Sequence, residues 1–272
     1  MWRTFRSALL LALLLAPFLP APASAETRVD LELILMADAS GSIDHEEFLL
    51  QRRGYARALR DPRVADAVLS GLLGRIALAY VEWSGPTLQT AIVPWTLIQG
   101  RAGLADFASR LEAVPRRIFY GGTAPGNAIL YGVASLQSNA YKGLRRVIDV
   151  SGDDQDIDGI PVTQGRDQAV ARGITVNGLP ILDGWPELAP FFRDNVIGGP
   201  GAFHITANDF RDFGIAIRKK LIREIVGRPG GHSKLAGAPG FEPGLSGSEP
   251  LVLPLNYAPS RRLEAPLGKR RF

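Results

Sequence analysis

Between Asp30 and Val226 the chain alternates short apolar runs with longer amphipathic stretches, and that alternation leaves few folds open to it. Runs such as Leu31-Glu32-Leu33-Ile34-Leu35 end in polar turns, which predicts strands. The helical stretches between them span about 10–17 residues, enough to return the chain for a parallel crossover. The pattern predicts strands over 30–36, 75–83, 89–97, 146–150, 174–181 and 202–206. It predicts helices over 44–60, 102–113, 125–139, 162–172 and 208–226. Asp44 followed by Glu47 has the spacing of a capping box, and Gly173 and Gly227 are placed to end helices. The segment 89–97 follows its neighbour after a short turn, so one edge strand is expected to be antiparallel. The fold class is therefore α/β, doubly wound, with a mostly parallel central sheet and helices on both faces.

The two ends differ from this core. Arg3 and Arg6 precede an apolar stretch from Ala8 to Leu19, and Ala23-Ser24-Ala25 has the form of a cleavage site. Residues 1–25 are expected to be a Sec-type signal peptide that directs the domain at 26–227 to the periplasm or outside the cell. The apolar run is too short to span a bilayer comfortably, so no stable membrane span is expected after cleavage. From Arg228 to Phe272 periodicity stops and Gly, Pro, Ser and Arg dominate, as in a disordered, low-complexity tail.

Charge and cysteine content narrow the function. There are no cysteines, hence neither disulfides nor thiolate metal sites. Of 31 basic and 27 acidic residues, the first 25 positions hold two basic ones. The last 45 hold seven basic and three acidic, which leaves 22 against 24 for residues 26–227. Basicity belongs to the ends rather than to a folded face, which argues against nucleic acid as a partner.

In an open α/β sheet, ligands bind beyond the carboxyl ends of the strands. Three loops should meet there. One holds Asp38, Ser40 and Ser42, another Gly121-Gly122-Thr123, and the third Ser151-Gly152-Asp153-Asp154. Together they offer two carboxylates and three hydroxyls, an all-oxygen set suited to Mg²⁺ or Mn²⁺. An ion held mainly by neutral hydroxyls stays electrophilic and favours an anionic ligand from outside.

The set Asp38-x-Ser40-x-Ser42, a later loop Thr and an Asp closing a hydrophobic strand resembles the metal-ion-dependent adhesion site of von Willebrand factor A domains. The wider text, including "DASGSIDHEEFLLQRRGYARALRDPRV", "RIALAYVEWSG", "VPWTLI" and "RRVIDVSGD", is similar to a bacterial family of such domains, domain of unknown function 1194. The resemblance covers roughly Asp30 to Val226. It implies that Ser40, Ser42 and Thr123 touch the metal through their hydroxyls. Asp38 and Asp153 would act directly or through water. It also implies metal-dependent binding of a protein partner that offers an acidic residue. Asp154 stands where related sequences tend to show Gly; it either tightens the ion or fills the position left for the partner.

Plainer readings accompany these. Asp38-Ser40-Ser42 could be a polar turn capping the first helix, and Thr123 an N-cap before Pro125. Asp154-x-Asp156-x-Asp158-Gly159 has the start of a calcium loop and suggests a second site, although Gly165 stands where that loop needs Glu. His45, His204 and His232 are scattered, so no Ser-His-Asp arrangement is supported. Trp83 and Trp95 read as packing residues, and Arg116-Arg117 as a solvated basic pair that could also steer an acidic partner. With no acid/base pair or nucleophile visible, a binding protein is expected. The alternatives are a metal-dependent hydrolase, with Asp154 as the spare carboxylate, and an interaction domain that needs no metal.

Overall fold

The apolar run ending at Asp38 is the central strand of the computed structural model, which describes residues 26–227. The signal peptide expected at 1–25 and the tail expected at 228–272, with His232, lie outside the described residues. In chain order the elements are β1 (Thr27–Asp38), α1 (His45–Leu59), α2 (Pro62–Leu69), β2 (Ile76–Trp83), β3 (Gln89–Ile98), α3 (Arg101–Ala113) and α4 (Pro125–Ser138). There follow β4 (Tyr141–Gly152), α5 (Val162–Val170), β5 (Thr175–Pro180), α6 (Leu188–Phe191), which runs into a π-helical turn (Phe192–Val196), and α7 (Phe213–Val226).

The five strands stand in the order β3-β2-β1-β4-β5. All neighbours are parallel except β2 and β3. β3 is an edge strand, which is why it tolerates Pro94: the ladder with β2 shifts register there, and no bond from that position is needed. β1 is buried on both faces. Leu31, Leu33 and Leu35 enter the core under α1, α2, α3 and α7, while Ile34 and Met36 enter the core under α4, α5 and α6. That two-sided burial explains a nearly unbroken apolar run where an exposed sheet would alternate.

Helix α1 starts as its residues dictate. Asp44 Oδ1 accepts from the Glu47 N–H at 2.9 Å, and Glu47 Oε2 accepts from the Asp44 N–H at 2.8 Å. Such a cap contributes ~1 kcal/mol. Helix α1 then lies close against α7. A Cβ on Gly54 would stand 2.7 Å from the Phe213 ring and 3.2 Å from the Gly214 Cα, so only glycine allows this approach. Tyr55, beside it, packs edge-on against both Tyr80 and Phe213 with centroids 5.0 Å apart.

Several features depart from the pattern reading, α6 with its π-helical turn among them. β4 begins at Tyr141 rather than Arg146, because pairing with β1 from Thr27 onward holds a polar segment extended. Helix α2 is additional, signalled by the Asp61 N-cap and Pro62 but only eight residues long. The strand expected over 202–206 reduces to isolated bridges, Gly178 with His204 and Ile181 with Ala207. Helix α7 begins at Phe213, not Asn208, because Asp209 Oδ1 accepts the N–H groups of Arg211 and Asp212 and holds a turn there. Among the described residues, no helix is long and apolar enough to cross a membrane.

Candidate metal centre

β1 has β2 on one side and β4 on the other, so the chain leaves the sheet centre in opposite directions. The crevice at the carboxyl ends of such strands is where this class of sheet binds ligands. Asp38 ends β1, and its carbonyl accepts from Gln51 Nε2 of α1 at 3.0 Å. Its Oδ1 accepts from the Ser40 N–H at 2.7 Å, which curls the loop back on itself. The Ser40 and Ser42 hydroxyls are 3.0 Å apart, and Ser42 Oγ donates to Asp153 Oδ1 at 3.1 Å.

Hydrogen bonds join each pair of the three loops. The first and third meet through Ser42 and Asp153. The first and second meet where the Gly41 N–H donates to the Gly121 carbonyl at 3.0 Å. The second and third meet at Thr123, whose carbonyl accepts the N–H groups of Ile157 and Asp158, each at 3.1 Å. Asp38, Ser40 and Thr123 are buried, whereas Asp153 is partly exposed and Ser42 exposed.

The electrostatics of this corner are unfavourable by themselves. Burial pushes the Asp38 carboxyl well above the usual carboxylate range, the nearby Asp153 charge adds to it, and the Ser40 bonds oppose it. Burial likewise pushes Asp153 up to about 6, against the bond from Ser42. Asp38 Oδ2 is buried and has no hydrogen-bond partner among the described residues. An oxygen left so costs free energy unless something positive reaches it. A hard divalent cation beside Asp38, Ser40, Ser42, Thr123 and Asp153 would supply that charge, and two carboxylates with three hydroxyls are the donors it prefers. The donor set fits. Among the described residues no three His, Cys, Asp or Glu side chains gather as a metal site.

The plainer readings are corrected here. The cap of α1 is Asp44, and the cap position of α4 is Ala124 with no side-chain bond. The Asx-Ser loop and Thr123 are therefore not used as helix caps. The calcium-loop reading fails as well. Asp154 Oδ1 accepts from the Gln155 N–H, Asp156 Oδ2 from the Val162 N–H at the start of α5, and Asp158 Oδ1 from the Gly159 N–H. Among the described residues these three carboxylates do not gather as a metal site. Nor is Arg116 solvated: its guanidinium donates to the carbonyls of Ile43, Asp44 and Ile118 at 2.9, 3.0 and 2.6 Å. It clamps the first loop to the second, while Arg117 is exposed. His45 is exposed at the first residue of α1, and His204 bridges to Gly178 beside β5. Trp83 is buried; Trp95 is half-buried, with Nε1 donating to Ser135 Oγ at 2.8 Å.

Supporting residues escaped the motif reading. Ser84, the residue after β2, points Oγ at the Tyr120 and Gly122 carbonyls, 3.0 and 3.1 Å away, and its own carbonyl accepts from the Ala124 N–H. Gly121 has φ +115°, and a Cβ there would stand 2.4 Å from Ser84 Oγ. Beneath Asp38, Ser151 Oγ lies 3.1 Å from the Tyr55 hydroxyl, continuing the buried polar layer begun by Gln51. The one available signal for Gln51 was a polar residue three positions after Phe48, on the apolar face of α1.

Sheet order, the antiparallel edge and helices on both faces define a von Willebrand factor A-like α/β domain. The chain belongs to the family described as Protein of unknown function (DUF1194), whose sequence profile matches residues 28–229. Proximal thread matrix protein 1 from the mussel byssus superposes with a TM-score of 0.56 at 17% identity, covering 74% of this chain and 49% of that one. A structure of the same protein described as having a zinc-occupied MIDAS motif gives 0.52 at 14% identity, covering 74% and 47%. A von Willebrand factor type A structure from Catenulispora acidiphila gives 0.51 at 14% identity, covering 73% and 43%. This chain thus spans less than half of each of those proteins. A 2'-dehydrokanamycin reductase of Streptomyces kanamyceticus is 39% identical over 56 residues, which is 21% of this chain and 16% of that enzyme.

Proposed function

We propose that this domain is exported, binds Mg²⁺ or Mn²⁺ through Asp38, Ser40, Ser42, Thr123 and Asp153, and uses the ion to hold an acidic group of another protein. The observation that carries the reading is Asp38 Oδ2, an oxygen buried without a partner beside a second carboxylate in a loop of hydroxyls. The zinc-occupied MIDAS motif of the structurally similar mussel protein supports it.

In this reading the protein's own residues set the chemistry. Asp38 is fixed from behind by Gln51 and from the front by the Ser40 N–H. Ser42 orients Asp153, and Arg116 and Ser84 hold the first two loops in register. A bound ion supplies Lewis acidity toward an incoming carboxylate. The proposed role is binding rather than catalysis.

Isothermal titration of the full chain with Mg²⁺ and Mn²⁺ tests this. Saturable heat at one site, lost in Asp38→Ala, is expected. Absence of heat in the native chain sinks the reading. Turnover of phosphate-ester or peptide substrates abolished by EDTA would replace it with a hydrolase.

A further inference from the structure

We infer that a cavity at the opposite end of the sheet from the metal centre binds a small polyanion, a molecule carrying two or more carboxylate or phosphate groups. The inference is independent of the metal-binding reading.

The sheet opens this cavity because β5 stops short. β1 runs along β4 from Tyr141, whereas β5 pairs with β4 only from Val147. The β4 edge before Val147 therefore has no β5 partner. Beside that edge, the amino end of β5, the segment 200–203 and the last turn of α7 enclose a cavity of about 460 Å³. Pockets for small molecules typically measure about 300–1,000 Å³.

Three arginines line it, Arg145 and Arg146 from the β4 edge and Arg223 from α7. Arg145 donates to the carbonyls of Glu224 and Ile225 at 2.8 and 2.6 Å, and Arg146 donates to that of Arg172. The Arg223 guanidinium lies 3.9 Å from the centre of the Phe203 ring, a stacking that orients its donors. Elsewhere on the domain, Arg166 and Arg193 pair with Asp167 and Asp194 at 2.8 and 2.7 Å. Among the described residues, none of the three cavity arginines forms such a pair. Carbonyls and a ring hold these groups in place without neutralising them. A planar guanidinium fork matches the oxygens of a carboxylate or phosphate, and a polyanion can engage more than one fork.

The acid that lines the cavity does not cancel this charge. Glu224 is 2% exposed, and its Oε1 accepts from Lys220 Nζ and, at 3.1 Å, from Asn177 Nδ2. Its Oε2 is buried with no hydrogen-bond partner among the described residues. Burial, reinforced by the Asp149 charge, pushes the carboxyl up to about 8, so at neutral pH it is uncharged and has a proton to donate. Asp149, the acid behind it, is matched by Lys220. The charge facing the cavity is thus that of the three arginines. A ligand oxygen within reach of Oε2 would also relieve the cost of leaving that atom unpaired.

Isothermal titration of the full chain at neutral pH, without added metal, probes this with tricarballylate, inorganic pyrophosphate and acetate. At least one polyanion is expected to saturate a single site, and acetate to bind at least about tenfold more weakly. Saturation by tricarballylate alone assigns the site to carboxylates, and saturation by pyrophosphate alone to phosphates; either supports it. Arg146→Gln and Arg223→Gln should each weaken binding about tenfold or more. Arg101→Gln, exposed at the start of α3 beside the β3 edge, should not. Phenylglyoxal labelling read by peptide mass spectrometry checks the native chain directly: the polyanion should protect Arg146 and Arg223 and leave Arg101 reactive. Absence of polyanion binding overturns the site. So does binding that Arg101→Gln weakens equally, or that protects no cavity arginine. Asp38→Ala should bind the polyanion as the native chain does; loss of binding there would place the anion at the metal centre and overturn the inference.

Discussion

Lys220 Nζ lies 2.6 Å from Asp149 Oδ1, and both side chains are fully buried where α7 packs over β4. The same ammonium is 2.5 Å from Glu224 Oε1, so one cation serves two carboxylates inside the core. Removing it leaves the buried Asp149 carboxylate uncompensated. Lys220→Met is expected to cost about 3–5 kcal/mol, read as a lower urea midpoint at constant slope. A loss below about 1 kcal/mol would show that the cluster is replaceable.

The same cluster sets a pH dependence. Burial, reinforced by the Asp149 charge and opposed by Lys220, pushes Glu224 up to about 8 from an ordinary 4.5. A carboxyl raised in the folded state stabilises in its protonated form, fully below its ordinary pKa, and that stability is lost as pH rises through about 8. Asp38 and Asp153, raised by burial, act in the same direction in metal-free protein. The urea midpoint in EDTA should therefore fall between about pH 4.5 and pH 8, less steeply in Glu224→Gln. A variant with the native slope would remove Glu224 from the explanation.

Metal should also stabilise the fold. An ion at about 100 times its Kd adds ~2.7 kcal/mol to the native state. For a domain near 200 residues this raises Tm by roughly 5–10 °C. Calorimetry in Mn²⁺ should show the shift, EDTA should reverse it, and Asp38→Ala should be insensitive to both. An equal shift in Asp38→Ala would place the ion elsewhere.

Ser84 touches no ligand atom in the proposed centre, yet its hydroxyl reaches two carbonyls of the Thr123 loop. Groups that orient metal ligands typically matter 10–100-fold in affinity. Ser84→Ala should weaken Mn²⁺ binding about tenfold with an unchanged circular dichroism spectrum. Unaltered affinity would mean that the loop is held without it.

Gly121 carries both a backbone and a steric demand. Gly121→Ala places a Cβ at φ +115° and 2.4 Å from Ser84 Oγ. Backbone strain of this kind costs about 1–3 kcal/mol, before the clash with Ser84. Gly184 also has positive φ, +89°, but nothing within 4 Å of its Cβ position. Gly184→Ala should therefore lose some stability and keep its Mn²⁺ affinity, while Gly121→Ala loses both.

Much of this fold was legible in one dimension because its signals are local. The Asp44–Glu47 box, the turn glycines Gly173 and Gly227, and the doubly buried run of β1 each depend on residues close in sequence. Strand 202–206 was misread for the complementary reason: an apolar-polar stretch is common to a strand and to a segment that merely bridges to β5. Arg116 looked solvated because nothing nearby in the sequence reveals the carbonyls of Ile43 and Asp44, over 70 positions away.

The sequence by itself determined the α/β class and the sheet's parallel bias, and it singled out five oxygen-bearing residues as candidates, since periodicity and residue chemistry are properties of short segments. Only the tertiary structure decided what those residues face. The bonds from Gly41 to Gly121, Ser42 to Asp153 and Ile157 to Thr123 exist because three distant loops close on one sheet edge. The Lys220 cluster likewise comes from α7 folding back onto β4. Hydrogen bonds and ion pairs act over a few ångströms of space, and separation along a chain does not report that distance.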